Sequence, residues 1–548
     1  QTWKAGCDAN IDMPDGFNFD YFGTTYNGSQ SNSRVMISRF GGMYFKSTSS
    51  TSPERAMTTW YSTMPELPYA SNTYSRPGLI APWWGYYSSY YCYDDSNTDC
   101  SVRYRVMPFE GKGTDVTSDL PNGANWDLID SPIRINPSND YLSIGGDVNI
   151  EPGVVIQVGA GKGISFDGSC DKFIASGNST DHILFEGQNG GTWKGLAFTA
   201  GCSTGTDDRH SLDYVDFANT TDAAIAAGSR HGSSPSTNSN VGNFTMNEVT
   251  FTNVGSAVMH GSGDGSVFDI SNFAVDTASG SCFNFPTDSV VSLYEGTMTN
   301  CNTAGGANDG AVTSVAGATA GSYSIENVSV SGSSVNLFLL NTPVVMLSNV
   351  SAGSSSAQSE IGIAQSRATA TGTETFHAFN VDASGYSTSY IFADDSYYLE
   401  DVDLGDGALT LQHSSYTMLG PSGSDATLDN VQAGAINMYR TAPMMDDITA
   451  AGMVISGGSP TTDGMLGTNI DLTTGGLFVY GCGYLYTLKG LDALNIKSSC
   501  SSSNAPNTFV IDGGALTGNS GGDAIYARNS KVTAGECAIT GSPTNVAT

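Results

Sequence analysis

A six-residue pattern recurs along most of the chain and limits the folds that the chain can adopt. Each copy has an apolar residue, any residue, then Asn, Asp, Gly or Glu, and then an apolar residue, any residue and a third apolar residue. Successive copies mostly begin 17 to 24 residues apart, and wider gaps of 29 to 34 residues leave room for loop insertions. The copies, some of them imperfect, are WKGLAF (193), LDYVDF (212), MNEVTF (246), ISNFAV (270), LYEGTM (293), IENVSV (325), LSNVSA (347), AFNVDA (378), LEDVDL (399), LDNVQA (428), MDDITA (445), GTNIDL (467), LKGLDA (488) and IDGGAL (511).

A period near 22 residues indicates a solenoid, whose units stack because none can bury its apolar face alone. Leucine-rich repeats have a similar period but require a regular leucine spacing and an asparagine position that this chain lacks. A β-propeller needs about 40 residues and four strands per blade, which fits the spacing less well. The pattern therefore predicts an all-β fold, a parallel β-helix, and the crossover preference of parallel strands makes it right-handed.

The stretch VNIEPGVVIQVGAGKGISFDG, residues 148–168, supports this prediction. Its apolar residues fall mainly on even positions, as in strands with one buried face, and its Pro-Gly and glycine-rich segments mark corners. Together with ILFEG (183) and WKGLAF (193), it resembles the first coils of extracellular right-handed β-helix proteins of the pectate-lyase-like architecture. The parallel β-helix is predicted over residues 129–548. The resemblance covers roughly residues 130–548 and is specific for the fold more than for a function.

Residues 1–128 are predicted to form a separate N-terminal cap domain, which is β-rich and contains a disulfide. The segments FDYFGTTYNG (19), RPGLIAPWW (76) and SVRYRV (101) resemble, in their order, those of nidogen-like β-domains of secreted proteins. The aromatic and acidic loop YYSSYYCYDD at 86–95 has two interpretations. It is a surface for glycans or proteins, or it packs within a small disulfide-linked lobe.

The ten cysteines include no CxxC motif, which favours disulfides and an oxidising compartment over a zinc ribbon or a thioredoxin-type site. Several pairs are separated by about one coil, or by one coil plus an insertion, and could join neighbouring coils. Each such bond contributes about 3 kcal/mol in the loop-entropy model. The predicted pairs between coils are Cys170–Cys202, Cys282–Cys301 and Cys482–Cys500, and Cys92–Cys100 is predicted to close a small loop in the N-terminal region.

Charge and sequons indicate the surroundings of the protein. Acidic residues outnumber basic ones by 53 to 21, so the net charge of −32 disfavours nucleic acid as a partner. No apolar run reaches the length of about 18 residues that a membrane span needs. The chain begins with Gln, as after removal of a signal peptide. An extracellular or cell-surface glycoprotein is therefore expected, with sequons at Asn27, Asn178, Asn219, Asn243, Asn327 and Asn349.

Enzymes of the pectate-lyase-like architecture combine Ca²⁺-binding carboxylates with a base, or use paired carboxylates, and neither arrangement is evident in the sequence. Neighbouring side chains on a strand point to opposite faces, so an Asp doublet alone is not an acid and base pair. The Asn and Asp of the repeat are interpreted as a corner ladder that hydrogen-bonds its own backbone. The weak catalytic candidates are Asp207, Asp208 and His210. The segment HGSGDGS at 260–266 leaves Ca²⁺ open as a cofactor, and no other cofactor is predicted.

The ends of a β-helix present unpaired strand edges that invite association unless they are capped. The N-terminal domain could cap the first coil. The C-terminal segment GECAITGSPTNVAT has no recognisable cap, so either the natural chain is longer or another molecule covers this end. A head-to-tail contact between copies builds an open fibre. Cys7 and Cys537 are the leftover cysteines, and a bond between Cys7 of one copy and Cys537 of the next is predicted. Alternatively, Cys7 pairs within its own chain, or both thiols stay free.

These features predict a secreted structural protein of a cell surface, which assembles with copies of itself into a filament, sheath or layer, or acts as an adhesin. The alternative is a β-helix protein that binds or degrades polysaccharides, as a lyase or a glycoside hydrolase. A third interpretation is a fragment of a larger adhesin or tailspike-like protein. Glycans are the other partner class that the sequence leaves open.

Overall fold

The structure, a computed structural model, divides the chain into two compact units, Gln1–Glu110 and Gly111–Thr548. Before residue 113 it describes only the bounds and pairing of strands. From 113 to 539 it describes the chain apart from gaps at 169–170, 200–208, 229–242, 261–265, 287–288, 306–308, 316–320, 333–335, 341, 353–360, 366–374, 393–395, 413–425, 442, 457–464, 501–504, 519–523 and 529.

The strands described in the first unit are short and antiparallel. Four of them form a sheet in the order β1-β4-β5-β6, and β2 pairs with β3 as a hairpin. The aromatic and acidic loop at 86–95 and the cysteines at positions 7, 92 and 100 lie outside the described residues. The bounds are β1 Ala9–Asp12, β2 Asn18–Tyr21, β3 Thr24–Asn27, β4 Arg34–Ile37, β5 Met43–Lys46 and β6 Leu79–Ile80.

The second unit confirms the predicted parallel β-helix. Two parallel sheets run along it, and each strand pairs with the equivalent strand of the next coil. The narrow sheet contributes one short strand per coil. Its sixteen strands are β10 Tyr141–Ile144, β13 Gly163–Phe166, β16 Leu196–Phe198, β18 Ala223–Ala227, β20 Ser256–His260, β22 Phe283–Pro286, β24 Gly310–Val315, β26 Asn336–Leu340, β28 Ile361–Gln365, β30 Thr388–Phe392, β32 Ala408–Gln412, β34 Ala435–Tyr439, β36 Met453–Ser456, β38 Leu477–Tyr480, β40 Ile496–Ser499 and β42 Ile525–Arg528.

The wide sheet has 22 strands and changes character along the solenoid. In the first coils it consists of separate short strands, and β14 and β15 both pair with β17, which joins the two sections into one bent strand. Its strands are β7 Thr114–Val116, β8 Ala124–Trp126, β9 Ile133–Ile135, β11 Val148–Ile150, β12 Val155–Val158, β14 Phe173–Ser176, β15 Ile183–Gly187, β17 Arg209–Ala218, β19 Asn243–Val254, β21 Val267–Ala278, β23 Val290–Thr299, β25 Ser322–Ser331, β27 Val344–Ala352, β29 Thr375–Asp382, β31 Ser396–Asp403, β33 Ala426–Ala433, β35 Met444–Ala450, β37 Leu466–Leu472, β39 Leu485–Ala493, β41 Asn507–Leu516, β43 Ser530–Ala534 and β44 Ala538–Ile539.

The third position of the six-residue pattern is the corner of each bent strand. From Tyr214 to Asn469, eleven such residues have backbone φ between 50° and 55°, in the left-handed region. Asn and Asp tolerate this region better than most residues with a side chain, and Gly adopts it freely, which explains their prevalence at this position. The copy WKGLAF is an exception, because Gly195 (φ 92°) precedes β16 of the narrow sheet instead.

The core lies between the two sheets and is built from residues that repeat in register. Phe268 and Ile270 of β21 are fully buried, and the same alternation continues beyond the corner. Equivalent phenyl rings stack from coil to coil, with centroids 5.0 Å apart for Phe244 and Phe268 and 5.3 Å apart for Phe217 and Phe251. Burial of each such side chain stabilises the fold by about 1.5–3 kcal/mol.

Two of the predicted disulfides are present. Cys282 and Cys301 are bonded with an S–S distance of 2.03 Å, and Cys482 is bonded to Cys500. The pair Cys170–Cys202 lies outside the described residues. Cys537, in the last described coil, is half-buried and forms no disulfide within the described part of the chain.

Helical structure in the described segments is limited to two short 3₁₀ turns, Leu128–Asp130 and Gln188–Gly190. Neither turn has the length or the apolar character that a membrane-crossing helix requires.

Candidate functional site

The outer faces of the two sheets differ in charge. The sixteen strands of the narrow sheet contain no Asp or Glu. In the wide sheet, every strand from β15 to β41 except β27 contains at least one carboxylate. Because the sheets share a core, their outer faces point away from each other. The solenoid therefore has an acidic face and a face whose strands lack carboxylates.

The corners of the wide sheet carry a ladder of side-chain hydrogen bonds. The Nδ2 of Asn349 donates to Oδ1 of Asn327 at 3.0 Å, and Nδ2 of Asn380 donates to Oδ1 of Asn349 at 2.9 Å. Asn430 donates in the same way to Asp401 at 2.6 Å. The predicted corner ladder is therefore present, and these rungs join the side chains of successive coils. The bonds run between successive coils because the strands on either side of the corners pair in register, which stacks equivalent corner residues.

A cluster of carboxylates lies on the wide sheet beside this ladder. In register, Glu400 of β31 neighbours Asp429 of β33, which neighbours Asp446 of β35. Asp447 occupies the corner that follows Asp446. Oxygen atoms of Asp429, Asp446 and Asp447 lie within 4.8 Å of one another. These four residues are called the carboxylate cluster below.

The convergence of Asp446 and Asp447 corrects an expectation from the sequence. Neighbouring side chains of a regular strand point to opposite faces, so a doublet of this kind should diverge. Asp447 has φ 50°, however, and a residue in the left-handed region interrupts the alternation. Both carboxylates are consequently exposed on the same outer face. Sequence reasoning had a signal for this site, because Asp447 occupies the corner position of the repeat.

Crowding of negative charge perturbs the cluster. Partial burial, followed by the nearby carboxylates of Asp446 and Glu400, raises the pKa of Asp429 above its ordinary value. The Tyr398 hydroxyl donates a hydrogen bond of 2.6 Å to Oε2 of Glu400, and this bond raises the pKa of Tyr398. A positive group placed against the cluster would relieve this repulsion.

The cluster offers the chemistry that a cation requires. Ca²⁺ takes oxygen ligands from several carboxylates, and Asp429, Asp446 and Asp447 supply three carboxylate groups at close range. These residues could hold a divalent cation or face an ammonium group. The Ca²⁺ loop considered from the sequence is not described over residues 261–265.

Apolar side chains lie next to the carboxylates on the same face. Met346, Tyr398, Met444 and Leu466 belong to one column of the register, three residues before the corner. Their exposed fractions range from 36% to 49%, which is high for such residues. The acidic face is therefore also an apolar one, a combination typical of contact surfaces.

The narrow sheet presents a complementary arrangement in its last coils. Phe478, Lys497 and Tyr526 occupy one outward column in successive coils. The Nζ atom of Lys497 lies 5.0 Å from the centroid of the Phe478 ring, and the side chain of Tyr526 is 48% exposed. These three residues are called the aromatic–lysine column below. Tyr480 stands beside the column and is 54% exposed.

The catalytic candidates from the sequence do not form a described site. Asp207 and Asp208 lie outside the described residues. His210 is buried, with its ring 4.6 Å from the rings of both Phe198 and Phe244. Its Nδ1 accepts a hydrogen bond of 3.3 Å from the backbone N–H of Phe173. This position gives His210 a packing role in the core.

A polar pair that the sequence did not reveal lies on the wide sheet. Nδ1 of His182 is 3.1 Å from Oδ2 of Asp216, and the Thr250 hydroxyl donates to the other oxygen of the same carboxylate. These residues are 34 positions apart in each pair and meet only because consecutive coils stack in register. No sequence motif links them.

The described sequons occupy different surroundings. Oδ1 of Asn178 accepts hydrogen bonds from the backbone N–H and the hydroxyl of Thr180 at 2.9 and 2.7 Å, in a turn between β14 and β15. Its Nδ2 forms no hydrogen bond with a described residue. In contrast, Nδ2 of Asn349 is engaged in the ladder.

Comparison of the chain with protein-family models, with curated proteins and with solved structures finds no match.

Proposed function

We propose that the protein is a secreted structural component of a cell surface, which assembles with copies of itself into a filament, sheath or layer, or acts as an adhesin. The observation that carries this proposal is the division of the solenoid into an acidic face and a face whose strands lack carboxylates. Two long faces of different charge can associate between copies without closing on themselves. Such heterologous contacts give open assemblies.

An extracellular location is part of the proposal. The bonds Cys282–Cys301 and Cys482–Cys500 support an oxidising compartment. Glycosylation is proposed at Asn178, whose turn and unengaged Nδ2 suit a surface acceptor, and not at Asn349 in the ladder. Mass spectrometry of glycopeptides from the native protein tests this choice, and a glycan on Asn349 with none on Asn178 would overturn it.

Head-to-tail contact is the proposed route to a filament. The parallel strands of a β-helix can be continued by a further coil, because each added strand pairs with an exposed strand edge. Cys537 lies in the last described coil, and its bond to Cys7 of another copy is proposed to lock the joint. A relationship to pectate-lyase-like β-helix proteins and to nidogen-like domains is also proposed, and both agree with an extracellular role.

A polysaccharide-binding or polysaccharide-degrading protein is the second candidate. The exposed rings of Tyr480 and Tyr526 favour it, because aromatic faces stack on sugar rings. A glycan array followed by a turnover assay on polyuronates and neutral glycans distinguishes this function from self-assembly. Tight glycan binding by a protein that stays monomeric would favour the second candidate.

Electron microscopy of the purified native protein, with and without reductant, tests the first proposal. Assembly predicts fibres or sheets with a regular repeat at high protein concentration. Sedimentation velocity over the same concentrations gives the fraction assembled. Single dispersed particles at every concentration and ionic strength would contradict the proposal.

A further inference from the structure

We propose that the aromatic–lysine column of one copy docks against the carboxylate cluster of a second copy, so that solenoids associate side by side. The inference rests on the proposed self-assembly and specifies the surfaces that meet. The partner that binds the aromatic–lysine column is thus a second copy of this chain, and the acidic wide sheet of that second copy forms the contact.

The arrangement of the sheets requires that the contact form between copies. The column is on the narrow sheet and the cluster is on the wide sheet, and both sheets cover the same core. Their outer faces point away from each other, so Lys497 cannot reach Asp429 or Asp446 of its own chain. The groups can therefore meet only when a second solenoid lies alongside the first.

Charge complementarity selects the surface that the column meets. Lys497 is exposed on a sheet whose strands contain no Asp or Glu, so it has no carboxylate within its own sheet. The cluster holds the carboxylates of Glu400, Asp429, Asp446 and Asp447. An ammonium group placed among them gains attraction and relieves their mutual repulsion. Salt should weaken the contact, because dissolved ions screen the attraction between charged groups that are exposed to solvent.

The two surfaces also match in spacing. Phe478, Lys497 and Tyr526 belong to three successive coils, and Glu400, Asp429 and Asp446 belong to three others. Neighbouring strands are about 4.8 Å apart in any parallel sheet. The two columns therefore have the same rise per coil. In a second solenoid that lies parallel or antiparallel to the first, the residues of the two columns can stay opposite each other along the whole contact.

Apolar contact adds to the charge pairing. Tyr480 and Tyr526 border the lysine on one face, and Tyr398, Met444 and Leu466 border the carboxylates on the other. Apolar area removed from water contributes about 25 cal/mol per Å². Aromatic anchors around a central charge pair resemble the composition of interface centres, where Tyr is enriched.

The experiment is a charge exchange in the full chain, followed by sedimentation velocity at low salt. Lys497→Glu and Asp446→Lys each create like-charge repulsion, and each is expected to raise the apparent dissociation constant at least tenfold. The double variant K497E/D446K places opposite charges at the exchanged positions while three carboxylates remain, so it should associate more tightly than K497E alone and less tightly than the wild type. Lys172→Glu is the matched control, because this exposed lysine precedes β14 in the first coils, many coils from both the column and the cluster, and it should change association by less than threefold.

The outcomes separate this inference from the proposed function. Wild-type protein that never associates would overturn both. Wild-type protein that associates, with K497E behaving as the wild type does, would overturn the docking surfaces and leave self-assembly standing. A folded double variant that associates no more tightly than K497E alone would also overturn the docking surfaces. Circular dichroism of each variant shows whether it is folded, and exchange of two exposed side chains leaves the core intact.

Discussion

The left-handed corner residue determines both the shape of each coil and the chemistry of its edge. Asn349 has φ 51° and uses its side chain twice, as donor to Asn327 and as acceptor from Asn380. An L-residue without such bonds would pay the conformational cost of this region without compensation. The ladder therefore explains why asparagine is preferred over glycine at many of these corners.

Substitution of Asn349 separates the backbone effect from the hydrogen bonds. Asn349→Gly removes the two side-chain bonds, each of which contributes about 1 kcal/mol, but suits the backbone angle. Asn349→Ala removes the same bonds but keeps a Cβ in the left-handed region, which costs about 1 kcal/mol relative to glycine. The alanine variant is therefore expected to have the lower urea midpoint by circular dichroism. Equal midpoints would show that the corner imposes no conformational cost.

Asp429 gives a prediction about pH. Folding raises its pKa, so the charged carboxylate lowers stability above the folded pKa, and this loss disappears as pH falls below the unfolded value of about 3.9. Asp429→Asn should therefore stabilise the protein by about 0.5 kcal/mol at pH 7 and by nothing at pH 3. Urea unfolding at the two pH values measures the difference.

The control for this prediction is Asp512→Asn. Asp512 lies in the same outward column of the wide sheet, but its neighbour in register is Lys489 instead of a carboxylate. Removal of its charge should lower stability slightly at pH 7. An equal gain in both variants would show that the net charge of the chain, and not the cluster, sets the effect.

At the scale of elements, the repeat predicted the strands and corners well because both depend on local sequence. Alternating apolar residues define the buried face, and an Asn, Asp or Gly marks the residue that can adopt positive φ. The carboxylate cluster was missed because it depends on two longer-range facts. Asp429 and Asp446 meet through the register of separate coils, and the corner at Asp447 interrupts the alternation.

The contacts of the histidines likewise depend on the register of the coils and not on local sequence. His210 precedes an obvious strand segment, but its burial between Phe198 and Phe244 follows from how three coils stack. His182 and Asp216 are brought together by the pairing of β15 with β17 in register. Local pattern therefore predicts which residues face inward along a strand, and only the stacking register shows which side chains meet.

The disulfides act at the scale of neighbouring coils. Replacement of both Cys282 and Cys301 by serine should cost about 3 kcal/mol, because the bond closes a short loop between adjacent coils. Differential scanning calorimetry without reductant should show a lower melting temperature. Cys537→Ser is the control, since this thiol forms no disulfide within the described residues, and it should leave the melting temperature almost unchanged. Equal melting temperatures for both variants would show that the bond does not stabilise the solenoid.

At the scale of the whole molecule, two independent contacts are proposed, one along the solenoid axis through Cys537 and one across it through Lys497. They respond to different treatments, because a disulfide is insensitive to salt and a charge contact is insensitive to reductant. Fibres that separate into thinner filaments at high salt, and into single subunits only after reduction, are the combined expectation.

Burial raises the pKa of the Cys537 thiol above its ordinary value. The thiolate is the reactive form, so little of it is present at pH 7, and disulfide formation between copies should accelerate as the pH rises toward 9. Non-reducing electrophoresis after incubation with oxidised glutathione measures this as a ladder of covalent oligomers. Cys537→Ser should abolish the ladder but leave side-by-side association in sedimentation experiments, whereas K497E should do the reverse. A ladder that persists in the Cys537→Ser variant would assign the covalent joint to other cysteines. The charge contact is tested separately, by the K497E and D446K variants.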